Sequence, residues 1–342
     1  NRDTDKTDIL EYSGSKMRWN PPPVAHLGSA GRTTQIETSR DGQHVIVTYR
    51  TTEDKVAVYR RNGTSWTLQN NFRPSSRADI GFGQSIDISD DGEVILIASK
   101  VSVRVFDSNH FGRTATRIMG DVISASMTSD GNIVAISESD PTSIKVYRWI
   151  NDEWYQEGND IAPLANGIFG IFNNVKISDN GKTLITSTSG IRNLRGAVYV
   201  FDLVDDGMDS TWQRRNEGNG LVIKGTKADD RLGRNLSISR DGKFVAWGSN
   251  SRAGVLKWTG YEWQDEGVLA FSKRPRVALD PEGKHLAVGL PFKRVEDLAN
   301  AGVIFVYKWA EPTSSPSSEP TSSPSSEPTP SPTPRPTPSP TP

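Results

Sequence analysis

Apolar and polar residues alternate in short runs along the chain, and a polar turn interrupts the alternation at intervals. In the segment IDISDDG, Ile86 and Ile88 lie two residues apart, which is the period of a β-strand. The Asp91-Gly92 pair that follows is typical of a tight hairpin, because glycine adopts a positive φ without strain. Related segments occur six times: Ile36–Gly42, Ile86–Gly92, Ala125–Gly131, Val175–Gly181, Leu236–Gly242 and Val277–Gly283. In each segment we expect the residue that ends the strand, usually Ser or Thr, to cap the turn through its side-chain oxygen.

Two further strands follow each hairpin, and the fourth often carries a tryptophan. Tyr59 and Trp66 are seven residues apart, as are Tyr147 and Trp154. Four short strands in a unit of about 40–50 residues are typical of a β-propeller blade. The sequence therefore predicts an all-β propeller, with six blades as the preferred count and seven as the alternative.

The two ends of the repeat array predict how the ring closes. The last unit has only three predicted strands, whereas the N-terminal segment has Tyr12 and Trp19 at the same spacing of seven residues. We expect the strand around Met17–Trp19 to complete the last blade and hold the ring shut. A partial seventh blade, or a truncated seven-bladed ring, stays open as an alternative.

Three local motifs resemble known propeller repeats. The order of strand, Asp-Gly turn, strand and aromatic residue is similar to WD40-type units. Gly81–Ser85 (GFGQS) and Gly289–Pro291 (GLP) resemble the two halves of the FG-GAP repeats of integrin α-chains. Val146–Gly158 resembles repeats in surface proteins of microalgae and marine bacteria. This resemblance implies an extracellular or cell-surface location. FG-GAP units often bear an Asp-x-Asp-x-Asp-Gly calcium loop, and none is intact here, so we expect no cofactor.

The composition changes abruptly near the C-terminus. Residues 311–342 comprise 12 Pro, 10 Ser and 6 Thr, with only three Glu and one Arg. Such a segment has no apolar surface to bury and favours extended polyproline conformations. The sequence predicts a propeller domain at 1–310 and a disordered stalk or linker at 311–342, with the composition of O-glycosylated stalks.

Charge and hydropathy limit the classes of binding partner that we expect. The whole chain has 40 basic and 41 acidic residues, so counterion-driven binding to nucleic acid is not expected. No apolar run is long enough to span a membrane. The absence of cysteine excludes disulfides, thiolate metal sites and cysteine nucleophiles.

Recognisable catalytic or metal motifs are scarce. Asp202 and Asp206 lie in an acidic loop and are weak metal candidates, because the loop lacks a carboxylate at the position of the bidentate calcium ligand. Glu37 and Asp87 are the only acids at the middle position of the first strand. The other units have Ser126, Lys176, Ser237 and Ala278 at that position. We expect two acids to be too few for catalysis.

These observations favour a non-enzymatic recognition, adhesion or scaffold module that binds protein or glycan through its loops. The candidate contacts are Arg192, Arg195, Lys293 and Arg294, and Asn62 is the accessible glycosylation sequon. One alternative is a propeller hydrolase or lyase acting on polysaccharide, with carboxylates around the central channel. The other is an intracellular WD40-like scaffold.

Overall fold

The described part of the chain consists of β-strands and their connections. The computed structural model describes residues 7–13, 18–27, 32–50, 54–77, 79–107, 118–162, 172–188, 193–205, 207, 209–215, 221–271, 274–290 and 303–308. The chain divides into two compact units, Asn1–Lys308 and Trp309–Pro342. All described residues belong to the first unit. In this part of the chain no helix offers the length and apolar character needed to cross a membrane.

The strands are numbered in chain order. The first half comprises β1 (Thr7–Ser13), β2 (Arg18–Leu27), β3 (Arg32–Thr38), β4 (His44–Arg50), β5 (Lys55–Asn62), β6 (Ser65–Phe72), β7 (Ser85–Ile88), β8 (Val94–Ala98), β9 (Ser102–Asp107), β10 (Ile118–Met119), β11 (Val122–Met127), β12 (Ile133–Ser139) and β13 (Thr142–Ile150). The second half comprises β14 (Glu153–Gln156), β15 (Phe172–Ile177), β16 (Thr183–Thr188), β17 (Ala197–Asp205), β18 (Ser210–Arg214), β19 (Leu221–Lys224), β20 (Asn235–Ile238), β21 (Phe244–Gly248), β22 (Arg252–Trp258), β23 (Trp263–Ala270), β24 (Arg276–Leu279), β25 (His285–Leu290) and β26 (Val303–Lys308).

Six antiparallel sheets form the blades of a propeller, which confirms the predicted fold and blade number. Blade 1 is β3–β6, blade 2 is β7–β10, blade 3 is β11–β14 and blade 5 is β20–β23. Blade 4 is β15–β18, with β19 added beside β17, and blade 6 is β24–β26. The first strands of successive blades contact one another from β3 through β7, β11, β15 and β20 to β24. These six strands therefore surround the central channel.

The repeated Ser-x-Asp-Gly unit builds the turn between the first two strands of a blade. In blade 1 the Ser39 hydroxyl donates to Asp41 Oδ1 at 2.5 Å and accepts the backbone N–H of His44 at 2.9 Å. Gly42 adopts a φ of 66°, as the Asp-Gly pattern predicts. Hydroxyls at the equivalent positions of blades 2 to 5 make the same contacts: Ser89, Thr128, Ser178 and Ser239. The predicted side-chain cap is confirmed.

Neighbouring blades pack through apolar faces. Between blades 1 and 2, Ile46 and Val56 pack with Phe82, Ile86 and Ile97, all of them buried. Comparable clusters lie between blades 2 and 3, 3 and 4, and 4 and 5. Each fully buried aliphatic side chain contributes about 1.5–3 kcal/mol, so the blades stabilise one another strongly on this side of the ring.

The boundary between blades 6 and 1 is different. An ion pair joins the blades there, with Arg40 Nη2 2.8 Å from Glu282 Oε1. Apolar side chains near this boundary stay exposed, since Ile36 is 45% exposed in blade 1 and Ile304 is 67% exposed on the last strand of blade 6. The face of blade 1 that is turned away from blade 2 is nevertheless buried at Val45, Val47 and Tyr49, so the exposure is confined to individual side chains.

The N-terminal hairpin pairs with itself and contacts blade 1 at β6. Among the described residues, β2 pairs with β1, with Tyr12 opposite Trp19, and the last blade has three strands. The predicted addition of Met17–Trp19 to the last blade is not among these pairings, and Met17 itself lies outside the described residues. A short hairpin satisfies both strands locally, whereas pairing with β26 requires contact across the whole chain.

Candidate functional site: the central channel

The middle layer of the channel, level with the central residue of each first strand, brings together three ionisable side chains from three blades. They come from the innermost strands β3, β7 and β15, at the same position in each repeat. Lys176 Nζ lies 4.0 Å from Glu37 Oε1 and 3.9 Å from Asp87 Oδ2. Because blades 4 and 1 are opposite one another in a six-membered ring, Lys176 reaches across the channel. Sequence analysis identified the two acids but did not predict that the lysine of blade 4 would face them.

Protein surrounds this triad, defined as Glu37, Asp87 and Lys176, but channel water still reaches it. The side chains of Glu37 and Lys176 are 40% and 31% exposed. Burial within the channel wall raises the pKa of Glu37 to about 7, and Asp87 raises it as well, while Lys176 opposes them. Burial alone would lower the pKa of Lys176, but Asp87 and Glu37 outweigh it and raise that pKa above its ordinary value.

Asp87 is oriented by the neighbouring blade. Its Oδ2 accepts the Ser126 hydroxyl at 3.1 Å and the backbone N–H of Met127 at 3.0 Å. Both donors fix the orientation of this carboxyl group. The two carboxyl groups of the triad therefore occupy different environments. Asp87 accepts two hydrogen bonds from the neighbouring blade, whereas burial is the main influence on Glu37.

Ion pairs between the Asp-Gly turns close one end of the channel. Arg240 Nη2 lies 2.5 Å from Asp90 Oδ2, and Arg240 Nε lies 2.7 Å from Asp179 Oδ2. Arg40 Nη1 approaches the same Asp90 oxygen at 3.5 Å, and Arg40 also pairs with Glu282. We call these five side chains the turn ring. Blades 2 and 5 are opposite, so the Arg240–Asp90 pair spans the channel at this end.

Amide side chains join neighbouring blades nearer the open end, which we call the mouth. Gln84 Nε2 donates to the Val122 carbonyl at 2.6 Å, and Asn174 Nδ2 donates to the Gly233 carbonyl at 3.0 Å. Asn235 uses both ends of its amide, donating to Pro275 O and accepting from Val277 N–H. These contacts fix the first strands relative to one another.

The binding residues proposed from sequence are scattered or lie outside the described part. Arg192, Lys293 and Arg294 lie outside the described residues. Arg195 lies on a mouth loop, where its carbonyl accepts the N–H of Leu232 at 3.0 Å. Its buried Nε has no hydrogen-bond partner within the described part of the chain.

Asp202 and Asn62 lie on outer strands or hairpins and not on the first strands that carry the triad. Asp202 lies on β17, where Arg215 Nε and Nη2 contact its two oxygens at 2.7 and 2.6 Å. Asp206 lies outside the described residues. Asn62 is exposed at the hairpin between β5 and β6. Searching the described ranges gave no group of three or more acidic or histidine side chains suited to a metal ion.

A shallow groove of about 550 Å³ lies outside the channel, between the outer strands of blades 3 and 4. Tyr155 and Thr211 contribute to its walls. Its Glu157 already pairs with Arg148 at 2.7 Å. The channel triad thus has the more distinctive chemistry.

Comparison with known proteins identifies a structural relative but no sequence family. No protein-family model matches the chain, and no curated protein matches it. A crystal structure described as a "putative 6-phosphogluconolactonase" from Bacteroides uniformis superimposes with a TM-score of 0.62 and 16% sequence identity. The match covers 88% of this chain and 87% of the Bacteroides chain. At this identity the similarity supports the propeller fold, while the FG-GAP and WD40 resemblances stay predictions.

The structural comparison corrects the leading functional prediction. Sequence analysis favoured a non-enzymatic recognition, adhesion or scaffold module, but the similar propeller carries the name of an enzyme. The expectation that the channel acids are too few for catalysis considered Glu37 and Asp87 alone, without Lys176 between them. The adhesion interpretation is therefore wrong as the leading one, and the alternative, a propeller enzyme, is better supported.

Proposed function

We propose that the protein is a hydrolase or lyase that acts on a saccharide or a sugar-derived substrate in the central channel. The observation that carries the proposal is the position of Lys176 Nζ, within 4.0 Å of both Glu37 and Asp87. The name of the Bacteroides protein refers to a sugar-derived lactone, which supports the same substrate class.

Glu37 serves as the proton-transfer group. A carboxyl group with a pKa of about 7 exchanges protons readily at neutral pH, because both of its protonation states are then populated. Asp87, held by Ser126 and Met127, serves as the second carboxyl group. Two carboxyl groups in different environments can divide the roles of general acid and general base between them.

Lys176 stabilises negative charge that develops on the substrate. Its pKa is raised, so the side chain remains a cation at neutral pH. Positively charged groups that already point at the reacting atoms stabilise an oxyanion or enolate without reorganisation. The Oε1 of Glu37 and the Oδ2 of Asp87 are at most about 7.9 Å apart, because each lies within 4.0 Å of Nζ. This upper limit allows the carboxylate spacings of both retaining and inverting glycosidases.

The test is a turnover screen on polysaccharides, oligosaccharides and sugar lactones with wild-type protein, Glu37→Gln and Glu262→Gln. Glu262 is exposed on a hairpin and serves as the matched control. We expect Glu37→Gln to lower turnover by about 100-fold or more and Glu262→Gln to leave it unchanged. Turnover that survives in Glu37→Gln would refute the assignment of Glu37.

We also propose that the protein works outside the cell or at its surface. The Pro/Ser/Thr-rich composition of residues 311–342 and the exposed sequon at Asn62 support this location. O-glycans found on the segment 311–342 of the native protein would support the proposal, and an unmodified segment on protein recovered from the cell interior would contradict it.

A further inference from the structure

Four arginines gather at the mouth on the side of blades 5 and 6. We call Arg231, Arg234, Arg274 and Arg276 the mouth arginine cluster. Arg234 immediately precedes β20, and Arg276 is the first residue of β24. The first strands run from the mouth towards the turn ring, so these residues lie at the open end of the channel.

Among the described residues, a carboxylate pairs with only one of these four arginines. Arg231 Nε binds Asp229 Oδ1 at 2.7 Å, and Arg252 pairs with Asp230, so both nearby acids are engaged. Within the described part of the chain, Arg234, Arg274 and Arg276 form no ion pair with a carboxylate.

The electrostatic environment of Arg234 reflects this imbalance. Burial lowers the pKa of Arg234, and the charges of Arg274, Arg276 and Arg231 lower it further, while Asp229 opposes them only in part. An anion placed among these guanidinium groups would relieve their mutual repulsion.

The backbone around the cluster is held in place before any ligand binds. Arg234 N–H donates to Arg231 O at 3.1 Å and to Gly248 O at 3.0 Å. Asn250 connects the two loops, because its side chain donates to Asp229 O and its carbonyl accepts the N–H of Arg274 at 2.7 Å. The backbone that carries these side chains is therefore held in place, which favours binding over a flexible arrangement.

Two features indicate a binding role over a purely structural one. Arg231 and Arg274 adopt φ values of 49° and 31°, in a region that residues other than glycine rarely occupy and that is enriched at functional sites. The neighbouring Arg195, joined to Leu232 through its backbone, has a buried Nε with no partner among the described residues. Arginine presents planar pairs of donors that match carboxylate, sulfate and phosphate groups.

We propose that the mouth arginine cluster binds an oxyanion group of the saccharide whose reacting bond lies at the triad. Arg276 lies two residues before Ala278, which occupies the triad position in blade 6, so both project from the same face of β24. A ligand bound at the mouth can therefore extend into the middle layer. This inference rests on the proposed function and narrows the substrate class to anionic saccharides.

The experiment measures binding directly, by isothermal titration calorimetry of the full chain. The chain carries Glu37→Gln, which should prevent turnover of the probe if Glu37 is catalytic. The probes are oligogalacturonate, its methyl ester of equal length, a sulfated oligosaccharide and inorganic phosphate. The variants Arg274→Gln and Arg276→Gln are added singly to this background. Arg60→Gln is the control, because Arg60 is an exposed arginine on blade 1, away from the cluster.

We expect oligogalacturonate to bind at least about tenfold more tightly than its ester, and each cluster variant to lose about tenfold, since one charge-assisted contact contributes roughly that factor. Binding of the sulfated probe or of phosphate with the same arginine dependence would support the inference and identify the oxyanion. Equal affinity for acid and ester, no binding of any probe, or equal effects of Arg276→Gln and Arg60→Gln would overturn it. Turnover that survives in Glu37→Gln would refute the catalytic role of Glu37. It would not affect the anion-binding role of the mouth arginine cluster, because affinity is measured separately.

Discussion

Arg240 in blade 5 donates a hydrogen bond of 2.5 Å to Asp90 in blade 2, across the centre of the ring. The two residues are 150 positions apart in the chain and belong to opposite blades. Arg240 also binds Asp179 in blade 4, so one guanidinium connects three blades. The channel consequently has a closed end at the turn ring and an open end at the mouth.

Replacing Arg240 tests the turn ring. Each partly exposed pair contributes about 0.2–1 kcal/mol, so Arg240→Met should lower the free energy of unfolding by about 1 kcal/mol. High salt should reduce the loss, because the charges are reached by solvent. Urea denaturation at two salt concentrations measures both effects.

The matched control is Lys243→Met. Lys243 lies 3.5 Å from Asp241 in the same turn but makes no contact across the ring. Its loss should change the free energy of unfolding by less than about 0.5 kcal/mol. Equal losses in the two variants would show that the cross-ring contact does not stabilise the protein.

The hairpin turns could be predicted from sequence because the residues that form them are close together in the chain. Ser39, Asp41 and His44 lie within six residues, and their hydrogen bonds define the turn regardless of the rest of the ring. The six repeats therefore predicted the hairpins, their caps and the blade number. Contacts across the ring were not predicted, because a seven-bladed ring stayed open as an alternative and the number of blades decides which blades face one another.

The triad was not predicted for the same reason. The repeat alignment placed Glu37, Asp87 and Lys176 at equivalent positions, but it did not show that blade 4 faces blade 1. The turn ring had a similar signal, since Arg40, Asp90, Asp179 and Arg240 follow the capping residue of their turns. Reading that position across all units as one ring would have predicted a charged closure.

Gly83 tests the packing between blades 1 and 2. A Cβ at this position would lie 2.7 Å from Val56 Cγ2 and 2.8 Å from Thr48 Cγ2, with φ at +74°. Gly83→Ala should therefore lower the free energy of unfolding by about 3 kcal/mol, from overpacking and backbone strain together. Thermal and urea denaturation measure the loss.

Gly42→Ala separates these two causes. Gly42 has a φ of +66°, but nothing lies within 4 Å of the added Cβ. The variant should lose only about 1–2 kcal/mol, the cost of a left-handed alanine. If Gly83→Ala were no more destabilising than Gly42→Ala, the close approach of blades 1 and 2 would be incorrect.

Removing Lys176 should change the pH dependence of turnover. The Lys176 ammonium lowers the pKa of Glu37, so Lys176→Met should raise that pKa further. The limb of the pH–rate profile that belongs to Glu37 should move to higher pH by about one unit. Lys176→Arg keeps the positive charge and should keep the limb near its original position. A limb that moves to lower pH in Lys176→Met would contradict the arrangement.

The two Asn-x-Ser/Thr sequons should differ in glycosylation when the chain passes through a eukaryotic secretory pathway. Asn62 is exposed beside Gly63, which has a φ of 61° in the hairpin turn. Asn235 uses its amide to donate to Pro275 and to accept from Val277. Glycopeptide mass spectrometry should find glycan at Asn62 and none at Asn235. The reverse occupancy would contradict the described placement of these two residues.

The most direct test of the channel site is an NMR titration of the Glu37 side-chain carboxyl, assigned by comparison with Glu37→Gln. The Glu37 carboxyl should titrate with a pKa of about 7 in the wild-type chain and with a higher pKa in Lys176→Met. A pKa near 4.3, the ordinary value for glutamate, that does not respond to Lys176→Met would show that these blades do not bring the triad together.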